Sequence, residues 1–428
     1  MGASQPLVES DHHVHLYGCL TAQDLWQLGK DPCKRDEGLL AWYAQKYLEA
    51  WGVRPRVEEY WSHPEGASLL QGDYEMRQPG NFEQFQACFN LIIALVPKNP
   101  SDISVLQKVL ARVRSYGLVF FEPRITFPLR WSKHQAYQCL DAYAHYLGSS
   151  KKSSKPEVKW MLSLPRDLKY AALHLSWLEQ WCVERGTSEK IAGVDIAFDE
   201  RGCPPSVFKT FLQERLLPAR QRYGWQLTYH VGEEFSDKSM WSAIRWVYQS
   251  WELGWTRLGH CTALGVNPQL RYGQSYTEPW QERVTHLRWL LQHHVELHRE
   301  GFVLELAEVR HQLKRLLQSP GQPVVSTYLD KDVLRLRLFQ RAVARMLRRR
   351  EVVIESCPSS NYRIGGVILP QDHPLAFFTR FQLHTVWGTD DPGVFATDWH
   401  HEARHIAEIK RAVASIYLPA GYGETNVF

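Results

Sequence analysis

Three histidines fall within four positions of the stretch Asp11-His12-His13-Val14-His15-Leu16-Tyr17. Alternate side chains of an extended strand share a face. His13 and His15 can therefore present two imidazoles to one ion, while His12 faces outward or supports a ligand from behind. Three later stretches also place imidazole or carboxylate groups where apolar runs end. They are His230-Val231-Gly232-Glu233-Glu234, Arg257-Leu258-Gly259-His260 and Thr389-Asp390-Asp391-Pro392. Singly, an isolated His-x-His is usually incidental and an Asp-Asp-Pro is usually a turn. Jointly, imidazole nitrogens and a carboxylate oxygen suit zinc and leave room for a water.

Such groups need elements to hold them in register. Eight short apolar runs provide candidates, at 12–16, 117–125, 158–164, 192–198, 225–231, 256–261, 352–357 and 384–389. They are near strand length, rich in β-branched and aromatic residues, and lack strict alternation, as parallel strands buried on both faces do. Amphipathic stretches such as 103–116 and 171–185 lie between them. The pattern predicts an α/β fold, a (β/α)8 TIM-type barrel, whose sites form at the C-terminal ends of its strands. Two intervals exceed a simple crossover, at about 20–103 and 262–351. The second reads as helical over 281–299, 301–317 and 331–350. Both are expected to be long helical insertions on one domain spanning 1–428, capping the barrel or building a homo-oligomer.

Composition narrows the function classes. A charge of +4 over 428 residues does not suggest a nucleic-acid-coating protein, and 44% hydrophobic content supports a large core. No signal peptide or membrane-length apolar run is visible, so the expected setting is cytoplasmic with no membrane partner. The 8 cysteines form no Cys-x-x-Cys pair, which reads as free thiols in a reducing compartment. Cys357 reads as a buried packing thiol. Glu122 and Arg124 read as a structural ion pair on the second strand. The run 148–156 is a surface loop.

The sequence resembles the adenosine deaminase family of metal-dependent hydrolases. The resemblance is carried by HVHL at 13–16, FEPR at 121–124, VDIAFDE at 194–200 and HVGE at 230–233. It continues with RLGH at 257–260, CPSSN at 357–361, HP at 373–374 and TDDP at 389–392. It implies one zinc ion per chain held by His13, His15, His230 and Asp390. It further implies Glu233 as the acid that protonates purine N1, and His260 as the group that orients or deprotonates the water. Asp391 would hold that water or purine N7, and Gly232 would lie against the substrate. Glu234, the neighbour of Glu233, stands outside the family position. The implied reaction is hydrolytic removal of the 6-amino group from adenosine or an adenine nucleotide. Zinc brings the pKa of its water towards neutrality, and ring protonation makes the carbon electrophilic.

Two departures bear on the substrate. Tyr17 stands where the family has an acid that meets the ribose 5′-hydroxyl, and Phe198 stands where it has a small glycine. Losing a carboxylate there removes repulsion against a phosphate, and a phenol can donate to it. A 5′-phosphorylated or otherwise modified adenine nucleotide is therefore expected. The plainer reading makes Tyr17 a lid or packing residue of a nucleoside deaminase. Alternatives are an amidohydrolase acting on another amino-heterocycle, or a nucleotide deaminase like the elaborated ones of bacterial phage-defence systems. A non-catalytic assembly protein is a third. One further motif competes: His401-Glu402-Ala403-Arg404-His405 matches H-E-x-x-H, a metalloprotease helix signature with Glu402 as base.

Overall fold

A computed structural model describes residues 9–32, 35–96, 99–149 and 156–416. Cys33 and residues 150–155 of the Ser/Lys-rich run lie outside the described residues. Eight parallel strands follow the eight apolar runs. They are β1 (Ser10–His15), β2 (Phe120–Thr126), β3 (Trp160–Leu164), β4 (Ile191–Ile196), β5 (Gln226–Val231), β6 (Arg257–His260), β7 (Val353–Ser356) and β8 (His384–Trp387). They pair in chain order from β1 to β8. A parallel bridge from Val14 to Asp390 brings the chain leaving β8 back against β1, which nearly closes the barrel. Every residue of β3 and of β4 is buried, so continuous apolar runs were the right signature for these strands.

The first insertion forms four helices: α1 (Ala22–Gly29), α2 (Glu37–Trp51), α3 (Gly66–Tyr74) and α4 (Phe82–Leu95). Local chemistry starts three of them. Thr21 and Asp24 form a capping box on α1, Asn81 and Gln84 form one on α4, and Asp36 caps α2. The apolar face of α4 packs on α2 and on the barrel mouth, where the Phe85 ring stacks on Phe395 at 5.1 Å.

The second insertion holds the three expected helices, at Trp280–Arg299, Leu306–Gln318 and Asp330–Arg348. It also contains an antiparallel pair, Ser275–Glu278 with Val324–Thr327, which a purely helical reading omits. The run Val324-Val325-Ser326-Thr327 is β-branched and follows Pro323, so it favours a strand over continuation of the helix. Among the described residues, 275–348 contribute nothing to the cavity at the barrel mouth. This insertion packs instead on helix Met240–Leu253, which follows β5, through the Arg245–Glu282 ion pair among other contacts. Among the described residues, no helix is long and apolar enough to cross a membrane.

Candidate active site

The C-terminal ends of β1, β5, β6 and the turn after β8 converge. The nitrogens of His13, His15 and His230 lie within 4.8 Å of one another. Asp390 Oδ1 lies 3.6 Å from His13 Nε2 and 3.4 Å from His15 Nε2. Zinc bound at about 2.0–2.2 Å needs donors spaced in this way. His13 Nε2 is buried and has no hydrogen-bond partner, a costly arrangement unless a cation takes its lone pair. Burial pushes the His15 imidazole down to about 3 and lowers that of His230, so both stay neutral as ligands must. Burial works to raise Asp390, yet the nearby imidazoles of His13, His260 and His15 hold its carboxyl well below the usual range. The three imidazoles, with Asp390 within reach of His13 and His15, therefore fit a zinc ion.

Carboxylates behind the histidines set which nitrogen is free. Glu355 Oε2 accepts from His13 Nδ1 at 2.7 Å, and Asp195 Oδ1 accepts from His230 Nδ1 at 3.0 Å. Protons on both Nδ1 atoms leave both Nε2 lone pairs as acceptors; that of His13 has no partner, and that of His230 meets Arg124 Nη1 at 3.5 Å. Arg124 pairs with Glu355 and lies 3.6 Å from Asp195, while Arg257 reaches Glu355 at 2.5 Å and Glu122 at 2.7 Å. The expected Glu122–Arg124 ion pair is thus absent. Residues two apart on a strand share a face, and here both point into the barrel, where each finds its partner on a strand across it. Sequence reasoning missed Glu355 and Asp195, although each is a carboxylate inside an apolar run, where a charge must be paired.

Three further titratable side chains, Glu233, His260 and Asp391, stand beside His13, His15, His230 and Asp390. Glu233 Oε1 lies 3.6 Å from His260 Nε2, and Asp390 Oδ2 lies 4.0 Å from the same atom. Burial first, then the charge of Asp390, raises the Glu233 carboxyl well above its ordinary range. The same two causes raise Asp391. Burial drives His260 the other way, well below its ordinary value. Burial thus favours the uncharged form of all three groups, and Asp391 Oδ1 and His260 Nδ1 are buried and unpartnered. Gly18 makes the approach possible, because a Cβ there would stand 1.8 Å from Asp391 Oδ1.

These groups open into a cavity of about 630 Å³. Phe82, Phe85 and Phe89 of α4 line it together with Phe127 and Trp131, and Lys46 and Arg130 reach it as cations. Tyr17 and Phe198 line it as well. The Tyr17 hydroxyl is hydrogen-bonded with Tyr143, and burial pushes the phenol up. Gly232 does not reach the wall. It turns the chain at φ 67°, its N–H donates to Glu200 at 2.9 Å and its carbonyl accepts from Ala263 at 2.8 Å.

The remaining candidates lie elsewhere. His12 is half-buried against Phe120 at 5.0 Å, and its carbonyl accepts from Arg257. The backbone N–H of Glu234 donates to Glu200 at 3.1 Å. The Cys357 thiol lies among His13, His260 and Asp390, and burial raises it well above its usual range. His401 and His405 stack at 5.0 Å, but Glu402 is buried on another face of the helix, accepting from Ser359 N–H and the Thr397 hydroxyl. A protease base must share the ligand face, so H-E-x-x-H is incidental here.

Comparison with known proteins agrees with this geometry. A family model described as adenosine deaminase matches residues 64–271 and 330–412. Those segments include His230, Glu233, His260, Asp390 and Asp391, while β1 lies outside them. An adenosine deaminase from Photorhabdus laumondii is 37% identical over 229 residues, covering 52% of this chain and 44% of its own length. One from Shewanella loihica is 25% identical over 220 residues, covering 51% and 41%. The chain thus spans about two fifths of the length of the curated relatives it matches. The fold is similar to an adenine deaminase from Arthrobacter aurescens, with TM-score 0.53 at 16% identity over 94% of this chain and 88% of the other. It is also similar to Arabidopsis ADAL solved with GMP, with TM-score 0.52 at 16% identity over 97% and 88%. An amidohydrolase from Burkholderia ambifaria, solved with bound zinc, gives TM-score 0.52 at 13% identity over 94% and 80%. With the family model matching more than half of its length, this chain belongs to the adenosine deaminase family.

Proposed function

We propose that the protein is a zinc-dependent deaminase of adenosine or an adenine nucleotide, releasing ammonia and leaving the inosine form. The observation that carries this reading is the placing of Glu233 and His260, 3.6 Å apart, on one cavity with His15, His230 and Asp390. Burial favours the protonated form of Glu233 and the neutral form of His260. A site that gives a proton to a ring nitrogen and takes one from a water needs that pairing. His13, His15, His230 and Asp390 would hold one zinc ion, which when bound supplies an activated water. Glu233 donates to the ring nitrogen, His260 receives or orients the water proton, and Asp391, kept protonated, donates to a second ring nitrogen.

The 5′ end of the substrate faces the cavity mouth, where Lys46 and Arg130 support a phosphate. The purine nucleotide in the Arabidopsis neighbour supports the same choice. Tyr17 contributes shape there, with its hydroxyl tied to Tyr143. The test is a deamination screen of adenosine, AMP, ADP, ATP and N6-modified adenosines with zinc-loaded protein. Efficient turnover of adenosine with every phosphorylated form inert would remove the nucleotide reading. Failure on all of them would move the substrate to another amino-heterocycle.

A further inference from the structure

Phe198 follows β4 with a φ of 72°, in the left-handed region that a bulky residue rarely occupies. It is 48% exposed and lines the cavity beside Ala197 and Asp199. A side chain in that conformation persists only where its surroundings fix it, and such positions gather at functional sites. Here the fixing group is visible. Arg166, two residues beyond β3, donates from Nε to the Phe198 carbonyl at 3.1 Å. Its Nη1 donates to the Tyr229 hydroxyl at 2.9 Å and its Nη2 to the His230 carbonyl at 2.6 Å. The guanidinium also lies over the Tyr229 ring, 4.8 Å from its centroid.

One planar cation therefore ties together the ends of β3, β4 and β5. Its fork has fixed geometry, so the Phe198 carbonyl cannot rotate without losing a charge-assisted bond. With that carbonyl held, a return to negative φ must be absorbed by a turn of the Ala197–Phe198 peptide alone. The neighbouring Ala197 N–H is held as well, donating to the Leu164 carbonyl at 3.2 Å.

We propose that Phe198 is a specificity-determining wall of the cavity, and that Arg166 is the positioning residue that keeps its ring there. The substrates it selects are purines lacking bulk on the side facing that ring, a statement that rests on the deaminase reading above. Glycine at this position adopts the left-handed conformation without cost and leaves the space open.

Two measurements on zinc-loaded protein test the proposal. The first compares wild type and Phe198→Gly on adenosine and on adenosines carrying progressively larger base substituents. The loss on adenosine should fall more on KM than on kcat, with KM rising about tenfold for an apolar contact removed. The preference for adenosine over the bulkier purines should shrink by about tenfold. Unchanged selectivity in Phe198→Gly overturns the proposal.

The second needs no substrate. Thermal midpoints are compared for Arg166→Ala, Phe198→Gly and the double variant, with zinc content measured in each because Arg166 also holds the His230 carbonyl. Arg166→Ala should lower the midpoint less when Phe198→Gly is already present, since glycine needs no clamp. Additive shifts overturn the positioning role. If wild type deaminates no purine, the functional reading fails by itself. The thermal cycle still decides whether Arg166 holds Phe198, and the wall's role in purine selection falls with that reading.

Discussion

The barrel floor and the helical cap meet at one cavity but are held by different physics. On the floor, His13 and His230 are each tied to a carboxylate, and those carboxylates are tied in turn to Arg124 or Arg257. Asp390 is locked through its backbone, donating to the His13 carbonyl and accepting from the His15 N–H, each at 2.8 Å. The cap presents Phe82, Phe85 and Phe89 from α4, placed by non-directional apolar contact. Directional bonds fix an atom to fractions of an ångström, whereas apolar packing fixes a volume. The chemistry is therefore expected to belong to the floor, and much of the selection to apolar walls, from α4 in the cap and from Phe198 at the barrel rim. Substitutions of the two kinds should fail in different ways.

The sharpest way to break this contrast is Glu233→Gln. An amide cannot give up the proton, so kcat should fall by about 10²- to 10⁴-fold while zinc stays bound. Zinc content by elemental analysis alongside single-turnover rates separates these outcomes, and retained activity would remove Glu233 as the acid. Gly18→Ala comes next. Its methyl group would lie 1.8 Å from Asp391 Oδ1, so the carboxyl must move. A displacement of about 1 Å in a reacting group costs on the order of 10²-fold. A wild-type rate in Gly18→Ala would show that Asp391 is not held to close tolerance.

A smaller effect is expected behind the ligands. Glu355→Gln leaves His13 Nδ1 facing an amide and Arg124 and Arg257 without their shared carboxylate. Zinc affinity should fall by about 10- to 100-fold, read by competition with a chelator. Phe89→Ala sits on the cap side of the comparison. It should raise KM a few-fold and leave zinc affinity untouched. A change in zinc affinity there would mean that floor and cap are coupled.

The same contrast explains what the sequence made readable. The inner strands were visible because a strand buried on both faces is written in consecutive residues, as in Ile191–Ile196. The proposed ligand and acid–base positions were legible for a related reason, lying at or near the ends of such runs. Pairings across the barrel were not. Glu355 and His13 are 342 positions apart, and nothing local ties one to the other. Glu122 was given the wrong partner because proximity in sequence stood in for proximity across strands. The strand Val324–Thr327 was hidden among helical periodicities, and its pairing with Ser275–Glu278 depends on the intervening helices folding back. The cap's apolar wall likewise emerges only when α4 packs against α2.

Glu402 gives the mildest test and carries the floor's logic to a carboxyl bonded to neutral groups. It is fully buried under the helix that follows β7, with Ser359 and Thr397 as partners. Burial raises it to about 8 from an ordinary value near 4.5, so it stays protonated in the folded chain where the unfolded chain would ionise it. The folded state then binds the extra proton between those values, and stability falls as pH climbs from about 4.5 to about 8. Glu402→Gln keeps a neutral group of the same shape and removes that dependence. Its thermal midpoint should match wild type near the acid end of the window and exceed it by a few degrees at the alkaline end. Parallel curves across the window would mean that Glu402 ionises without penalty, and that the paired cations of the floor are not what makes buried carboxylates tolerable in this barrel.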